Sequence, residues 1–189
     1  ERAVLDANGA DLATVVLRPH LIWGPGDTQL SPRLLDRARM RRLIQVGDGS
    51  NLVDITYIDN AVDAHVAALD RVGPDAACAG RAYFISQGEP VFLWDWINDM
   101  LRMINVPVLK KRVPLPLAYS FAILAESLWR LSGRNSIPPM TRFVAVQLAK
   151  SHWFSIEAAR KHLGYRPEKF PTGEGMELYA RAWLAGNAR

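Results

Sequence analysis

The sequence predicts an α/β fold with a parallel sheet and a mostly helical second part. Residues 12–17 (LATVVL) form a β-rich apolar run, which is typical of a strand buried on both faces of a parallel sheet. Residues 23–27 (WGPGD) predict a tight loop just beyond it, where open α/β sheets bind ligands. On composition alone, an ordinary strand-to-loop exit is the favoured interpretation of this loop. Apolar residues at helical spacing recur later in the chain.

The first elements follow from capping residues and turn formers. Residues 1–8 predict the end of a helix, with Gly9 just after its C-terminus. Arg18 and Pro19 are expected to end the first strand, since proline offers no N–H to a ladder. Ser31 and the proline after it predict the next helix start, with the serine as N-cap. The residues of that helix expected to face the core are Leu34, Leu35 and Ala38.

The middle of the chain predicts further short strands and a helix. Residues 43–46 predict a strand and residues 47–50 (GDGS) a turn. Residues 54–58 (DITYI) predict a β-branched and aromatic strand, and Asp59 is expected to cap a helix over residues 60–70. The apolar stripe predicted for that helix consists of Val62, Val66 and Leu69.

The remaining elements are one strand, over residues 82–86, and several helices. An amphipathic helix is predicted by the spacing of Leu93, Ile97, Met100, Leu101 and Ile104. Residues 115–131 are the most apolar stretch, but Glu126 interrupts it after about eleven uncharged residues, too few to span a bilayer. Gly164 is expected to end a helix over residues 158–163. The last helix is marked by Met176, Tyr179, Ala180 and Trp183.

Composition and charge limit the classes of protein. With 49% hydrophobic and 22% charged residues among 189, the chain resembles an ordinary globular protein. Cys78 is the single cysteine, which excludes an internal disulfide and fits the cytoplasm. Five arginines lie between Arg33 and Arg42 without interleaved aromatics, so nucleic-acid binding is not expected. That face could attract an anionic substrate tail, a carrier cofactor or an acidic membrane, although a solvated face is the favoured interpretation.

Several motifs occur in the order found in one enzyme family. Residues 18–27 (RPHLIWGPGD) resemble a segment of the extended short-chain dehydrogenases/reductases, and more narrowly of their 3β-hydroxysteroid dehydrogenase/isomerase branch. The other matching segments are 46–54 (VGDGSNLVD), 57–61 (YIDNA), 81–86 (RAYFIS) and 158–167 (AARKHLGYRP). The resemblance implies an extended Rossmann-like fold with a doubly wound parallel sheet, as in the NAD-dependent epimerase/dehydratase superfamily. Within the branch, the motifs are similar to sterol-4-carboxylate 3-dehydrogenases and slightly more so to bacterial 2-alkyl-3-oxoalkanoate reductases.

The resemblance also implies features that this sequence lacks. Family members carry a glycine-rich fingerprint and a Tyr-x-x-x-Lys pair ahead of the position of Glu1. The chain is therefore interpreted as the C-terminal part of a larger enzyme, with the catalytic Tyr and Lys just before Glu1 and no catalytic residue in the chain itself. Residues 1–30 would be the last part of the Rossmann half. Residues 31–189 would form the substrate-binding lobe, with residues 54–86 returning to the sheet. The fragment alone is expected to be inactive.

The resemblance assigns roles to residues of the loop. In the family, tyrosine exchanges a proton with the substrate oxygen, and hydride moves to or from NAD or NADP. The residues expected at the cofactor's nicotinamide are Pro19, His20, Leu21 and Ile22. The residues expected at the substrate are Trp23, Gly24, Pro25, Tyr57 and Asn60. For the His20 ring, packing or solvent exposure is the favoured interpretation. No metal is expected, because no histidine stands at ligand spacing from another histidine or a cysteine.

Two positions favour an apolar substrate over a nucleotide sugar. Nucleotide-sugar epimerases of the superfamily carry an arginine that grips the diphosphate, and Val53 takes that position here. Asn60 stands where those enzymes often carry aspartate. The favoured function is an NAD(P)-dependent oxidoreductase that interconverts a 3-hydroxyl and a 3-ketone on a bulky hydrophobic substrate. The alternatives are a nucleotide-sugar epimerase or dehydratase and a non-catalytic binding relative.

The expected partner is a small hydrophobic substrate. Peripheral membrane contact through residues 110–131 is an open alternative, because Lys110, Lys111 and Arg112 flank the apolar stretch. A buried or subunit-packing helix explains the same stretch at least as well. A homodimer is also left open.

Overall fold

The computed structural model describes residues 1–28, 30–133, 136 and 138–186. Within them the helices are α1 (Arg2–Asp6), α2 (Ser31–Arg39), α3 (Ile58–Leu69), α4 (Leu93–Met103), α5 (Leu115–Leu131), α6 (Arg142–Gln147), α7 (Glu157–Leu163) and α8 (Thr172–Gly186). The strands are β1 (Val15–Pro19), β2 (Ile22–Trp23), β3 (Gln45–Val46), β4 (Leu52–Val53), β5 (Thr56–Tyr57), β6 (Arg81–Ile85), β7 (Val91–Phe92) and β8 (Arg112–Val113). No helix in this part of the chain is long and apolar enough to cross a membrane.

The chain divides into two compact units. Unit 1 comprises Glu1–Pro32, Asp54–Pro90 and Trp153–Arg189, and unit 2 comprises Arg33–Val53 and Val91–His152. Residues 54–86 thus belong to the same unit as β1, and so do the C-terminal helices α7 and α8. The predicted division at residue 30 is defined by function rather than by compactness, and it stays a prediction.

Strand β1 pairs in parallel with β6, from Val15 beside Arg81 to Pro19 beside Ile85. The predicted strand over residues 12–17 is therefore wrong at both ends. Pro19 is tolerated in the ladder because the next residue, His20, donates its N–H to the Ile85 carbonyl at 3.1 Å, so no N–H of residue 19 is needed. The five residues of β1 are half-buried in this chain rather than buried on both faces.

A second parallel pair, β2 with β5, follows directly on the first. The Thr56 N–H donates to the Leu21 carbonyl at 3.2 Å, and the Thr56 hydroxyl donates to the carbonyls of His20 and Ile85 at 2.6 and 3.1 Å. One threonine thus links the ends of β1 and β6 to β5. The predicted strand over residues 54–58 is shorter than expected, because Tyr57 is already the N-cap of α3.

Helix α3 buries a face different from the predicted one. Its buried residues are Asn60, Ala61, Ala64 and Ala68. The predicted stripe of Val62, Val66 and Leu69 is exposed, with Leu69 at 74%. Alanines allow the helix backbone to approach its neighbours closely, so close packing rather than side-chain hydrophobicity sets the helix face. The N-cap prediction is also wrong, since Asp59 lies inside the first turn, where its charge still complements the helix dipole.

Two other helix boundaries differ from the capping predictions. Helix α1 ends at Asp6 with Ala7 as C-cap, and Gly9 instead donates its N–H to the Leu12 carbonyl at 2.9 Å. Helix α2 begins at Ser31 itself, which is therefore not the N-cap. The carboxylate of Asp27 accepts the Ser31 N–H at 2.7 Å and its hydroxyl at 2.6 Å. An acidic group in the preceding loop thus satisfies the helix start.

The core of unit 1 lies between the β1–β6 pair and helices α3 and α7. Its buried members are Ala64, Ala68, Cys78, Tyr83, Ile85, Ile156, Ala159, Leu163 and Tyr165. Gly164 ends α7 in the left-handed region at φ 63°, as predicted. The Tyr165 hydroxyl donates to the Ser86 carbonyl at 2.9 Å, so the chain after α7 is fixed to the end of β6.

Unit 2 contains two short strand pairs and the helices α4, α5 and α6. Strand β3 is parallel to β8, and β4 is antiparallel to β7. Helix α4 confirms the predicted amphipathic face, since Leu93, Ile97, Met100, Leu101 and Ile104 are all buried. Helix α5 coincides with the most apolar stretch of the sequence, and it packs against α6. In α2, Leu35 and Ala38 are buried as predicted, whereas Leu34 is half-buried.

Candidate functional site

A cleft of about 540 Å³ opens in unit 1 beyond the end of β1. Its lining is a nearly continuous stretch of chain together with the first residue of α3: Leu21, Ile22, Trp23, Gly24, Pro25, Gly26, Asp27, Thr28, Leu30 and Ile58. The loop reverses here because Gly24 and Gly26 adopt φ values of 144° and 84°, which favour glycine. The cleft therefore lies where ligands bind in open α/β sheets.

The backbone entering the cleft is held in an uncommon conformation. Leu21 has φ 44°, a value that few residues other than glycine adopt. The Leu21 carbonyl accepts the Thr56 N–H, and the His20 carbonyl accepts the Thr56 hydroxyl, so the residues on both sides of the bend are fixed. Such positions persist when their surroundings hold them, and they concentrate at functional sites.

Gly24 is required by a close approach as well as by its backbone angle. A Cβ at this position would lie 2.5 Å from Cγ2 of Ile58 and 3.2 Å from Cε2 of Tyr57. The loop therefore packs directly on the start of α3. A Cβ added at Gly26, by contrast, would have no atom within 4 Å, so only the φ of this residue favours glycine.

Trp23 and Tyr57 form an aromatic cluster behind the loop. Their ring centroids lie 5.2 Å apart, and the Tyr179 ring meets Trp23 edge-on at 6.4 Å. Trp23 is fully buried, and Gly175 of α8 packs against the Tyr57 ring, where a Cβ would lie 2.8 Å from Cδ2. Burial raises the pKa of the Tyr57 phenol, and the neighbouring Asp59 carboxylate raises it further. Tyr57 is therefore a neutral packing group at physiological pH.

Asn60 is a buried hydrogen-bond donor that joins separate segments. Its Nδ2 lies 2.7 Å from Oε1 of Gln87 and 2.8 Å from the carbonyl oxygens of both Pro167 and Phe170. The Gln87 Oε1 also accepts the Tyr57 N–H at 3.1 Å, and its Nε2 donates to the Phe170 carbonyl at 3.1 Å. The pair holds the start of α3, the end of β6 and the chain before α8 together.

The predicted site residues divide between the cleft and its support. Of the residues predicted at the cofactor, Leu21 and Ile22 line the cleft, while Pro19 ends β1. His20 is half-buried, and its ring meets Phe154 edge-on with centroids 5.5 Å apart.

Of the residues predicted at the substrate, Gly24 and Pro25 line the cleft, while Trp23 borders it with its side chain fully buried. Tyr57 and Asn60 lie in the structure behind it, where they fix the loop and α3 through the contacts described above. The assignment of all these residues to a cofactor or a substrate stays a prediction.

Three residues of the site escaped prediction from the sequence. Asp27 closes the loop onto α2, Thr56 joins the strand ends, and Gln87 connects α3 to the C-terminal segment. A signal exists for two of them: Asp27 stands four residues before the Ser-Pro helix start, and Gln87 directly follows the buried end of β6. Nothing in the sequence distinguishes Thr56 from an ordinary strand residue.

The cleft lining is suited to binding rather than to proton transfer. Asp27 is the one ionisable side chain among the lining residues, and its oxygens already accept N–H and O–H groups at the start of α2. Among the described residues, no group of three or more His, Cys, Asp or Glu side chains could hold a metal ion. The absence of a metal stays a prediction.

The chain is similar to known oxidoreductases over most of its length. A sequence model of the 3-beta hydroxysteroid dehydrogenase/isomerase family matches residues 1–117. The chain is 52% identical over 168 residues to a 2-alkyl-3-oxoalkanoate reductase of Stenotrophomonas maltophilia, covering 89% of this chain and 51% of the relative. It is 39% identical over 172 residues to the sterol-4-alpha-carboxylate 3-dehydrogenase, decarboxylating, of Mus musculus, covering 88% and 48%. The chain thus spans about half the length of the curated relatives it matches.

Solved structures show the same fold. The crystal structure of gox2253 matches with a TM-score of 0.64 at 25% identity, over 93% of this chain and 50% of that one. The dTDP-glucose 4,6-dehydratase DesIV of Streptomyces venezuelae, solved with NAD, matches with a TM-score of 0.62 at 17% identity, over 98% and 47%. The second match shows the fold alone. It agrees with the predicted α/β, Rossmann-like class.

Proposed function

The chain belongs to the 3-beta hydroxysteroid dehydrogenase/isomerase family, and from this premise we propose that the protein is an NAD(P)-dependent oxidoreductase. It interconverts a 3-hydroxyl and a 3-ketone on a bulky hydrophobic substrate of the 2-alkyl-3-oxoalkanoate or sterol type. The observation that carries the proposal is the cleft beyond the parallel strands, formed by a loop that only glycine at position 24 allows. The two named relatives act, by their names, on substrates of these classes.

The cleft residues fit the nicotinamide end of such a cofactor rather than its phosphates. The lining consists mostly of apolar side chains and loop backbone, and its one charged group, Asp27, is a carboxylate that would repel phosphate. We assign the contacts to Leu21 and Ile22 in the cleft, with Pro19 and His20 fixing their approach. The nicotinamide, when bound, supplies or accepts the hydride. We propose that a Tyr–Lys pair of the full-length enzyme, as in the family, transfers the proton.

The apolar substrate is supported by the burial of residue 53. Val53 lies in β4, paired with Val91, and is fully buried. An arginine that clamps a diphosphate must reach its ligand with its guanidinium group. Val53 offers no such group, and its side chain is fully buried in the β4–β7 pair. The absence of that group supports an apolar substrate over a nucleotide sugar.

Purified full-length protein tests the proposal directly. With NADPH or NADH, we expect it to reduce a 2-alkyl-3-oxoalkanoate or a 3-oxosterol. The reaction is measured by the loss of the absorbance of the reduced nicotinamide. Turnover confined to UDP- or dTDP-sugars would instead show a nucleotide-sugar enzyme. Tight cofactor binding without turnover of any of these substrates would show a non-catalytic binding protein.

Gly24→Ala tests whether the cleft carries the activity. The added methyl group meets Ile58 in a backbone conformation that alanine rarely adopts, so the loop must move. We expect kcat/KM to fall at least ~10-fold, since small displacements of positioning groups have large kinetic effects. Gly73→Ala is the matched control, because nothing lies within 4 Å of its built Cβ. If both variants were as active as the wild type, the loop would not be part of the active site.

A further inference from the structure

The β1–β6 pair carries aromatic side chains on the face that points away from the core of unit 1. Tyr83 and Ile85 of β6 belong to that core. Because side chains alternate along a strand, Phe84 between them points to the opposite face. Arg18 stands beside Phe84 in the strand register, and its guanidinium carbon lies 5.2 Å from the Phe84 ring centroid. Phe84 is half-buried and packs outside the core.

Phe154 joins Phe84 to His20. The rings of Phe84 and Phe154 are nearly parallel, with an interplanar angle of 4° and centroids 3.9 Å apart. The His20 ring meets Phe154 edge-on, with centroids 5.5 Å apart. Stacked and edge-on arrangements are the favourable geometries for aromatic rings. The Phe154 N–H also donates to Oδ2 of Asp54 at 2.8 Å, so the backbone that carries its ring is fixed. We name Phe84, Phe154 and His20 the ring stack.

The ring stack ends at the bend that enters the cleft. His20 directly precedes Leu21, whose φ is 44°. The backbone of His20 is held on both sides, since its N–H donates to the Ile85 carbonyl at 3.1 Å and its carbonyl accepts the Thr56 hydroxyl at 2.6 Å. An uncommon backbone conformation persists only where its surroundings hold it. Phe154 adds a side-chain contact to the two backbone contacts of His20.

We propose that Phe154 is a positioning residue for the nicotinamide of the cofactor. By holding the His20 ring, it keeps the bend at Leu21 in the conformation that receives the nicotinamide. This inference rests on the proposed function, which places Leu21 at the nicotinamide. It implies that Phe154 affects the nicotinamide end of the cofactor alone, because the ring stack ends at this bend. A residue that only stabilised the fold would affect the binding of every part of the cofactor.

Steady-state kinetics of the full-length protein measure the effect. Phe154→Leu keeps an apolar side chain but removes the ring, and it should lower kcat/KM for the reduced cofactor by roughly 10-fold. Phe154→Tyr keeps the ring and should restore most of the activity. Trp153→Leu is the matched control, because Trp153 is the adjacent aromatic residue and is 55% exposed. Wild-type activity of Phe154→Leu, or equal loss in Phe154→Tyr, would overturn the proposal.

Calorimetry separates positioning from a purely structural role. Phe154→Leu should weaken the binding of the reduced dinucleotide, whereas its affinity for ADP-ribose or 2′-phospho-ADP-ribose, which lack the nicotinamide, should equal that of the wild type. Unchanged binding of the truncated ligand also shows that the variant is folded. If the variant lost affinity for both ligands equally, Phe154 would support the fold alone and the proposal would be wrong.

A double-mutant cycle tests whether Phe154 acts through His20. His20→Ala removes the ring that Phe154 holds, so adding Phe154→Leu to it should lower kcat/KM by less than about 2-fold further. Independent effects that multiply to roughly 100-fold would show that Phe154 does not act through His20.

The proposed function and this inference fail in different ways. A wild type that binds no nicotinamide cofactor would contradict both. A wild type that binds the cofactor but reduces no substrate would contradict the oxidoreductase alone, and the calorimetric comparison would still decide the role of Phe154. An active wild type matched by Phe154→Leu would contradict only the role of Phe154.

Discussion

Gly175 has no side chain, and this sets how closely helix α8 can approach its neighbour. It allows α8 to lie against the ring of Tyr57, where a Cβ would come within 2.8–3.0 Å of three ring atoms. The ring cannot yield easily, because Tyr57 is buried and also packs against Trp23. The support of the cleft loop therefore depends on a residue far from it in sequence.

Gly175→Ala should lower the free energy of unfolding by about 1–3 kcal/mol, the usual cost of overpacking a core. Gly173→Ala lies in the same helix with nothing within 4 Å of its built Cβ, so it should be neutral or slightly stabilising. Urea unfolding of both variants measures the difference. Similar stabilities for the two would show that α8 does not approach Tyr57 as described.

Tyr165 gives the fold a predictable response to alkaline pH. Burial raises the pKa of its phenol well above the ordinary value near 10. The folded state therefore holds the proton more tightly than the unfolded state, so its contribution to stability is complete below about pH 10 and is lost as pH rises further.

Thermal unfolding between neutral pH and pH 11 measures this effect of Tyr165. The wild type should lose stability above about pH 10. Tyr165→Phe should be less stable at neutral pH, because its hydrogen bond to the Ser86 carbonyl is lost, but should show a smaller alkaline decline. Tyr119→Phe, at an exposed tyrosine, is the control and should follow the wild type. An unchanged alkaline decline in Tyr165→Phe would contradict the account.

Helix α3 shows where element-level inference from the sequence reaches its limit. Its existence was predictable, because an apolar periodicity follows a β-branched strand. Its buried face was not, because hydrophobicity ranks Val62 and Val66 above Ala64, while close packing selects the alanine. Helix α4 was predicted correctly because large residues form its only apolar stripe.

Ala64→Leu and Val66→Ala test this assignment of the α3 face. The first forces a larger side chain into a fully buried position and should cost about 1–3 kcal/mol of stability. The second removes methyl groups from an exposed position and should change stability by no more than ~0.5 kcal/mol. A denaturant titration measures both losses of stability. If Val66→Ala were the more destabilising variant, the buried face of α3 would be the one predicted from the sequence.

At the scale of the whole molecule, the sequence predicts the position of the cleft better than its construction. The glycine-proline loop beyond a parallel strand predicted where the cleft lies, because that local pattern needs no distant partner. The support by Asn60 depends on Pro167 and Phe170, more than a hundred residues away, so no local pattern reveals it. The same holds for Gly175 beneath Tyr57.

The proposed activity is the transfer of hydride between a nicotinamide cofactor and carbon 3 of an apolar substrate. Reduction of a 2-alkyl-3-oxoalkanoate by the full-length protein, with both hydrogens at the nicotinamide C4 of the reduced cofactor replaced by deuterium, tests this activity most directly. Mass spectrometry of the product should find one deuterium at carbon 3, and Gly24→Ala should slow its appearance. A product without deuterium, or an epimerised sugar with no net oxidation of the cofactor, would contradict the account.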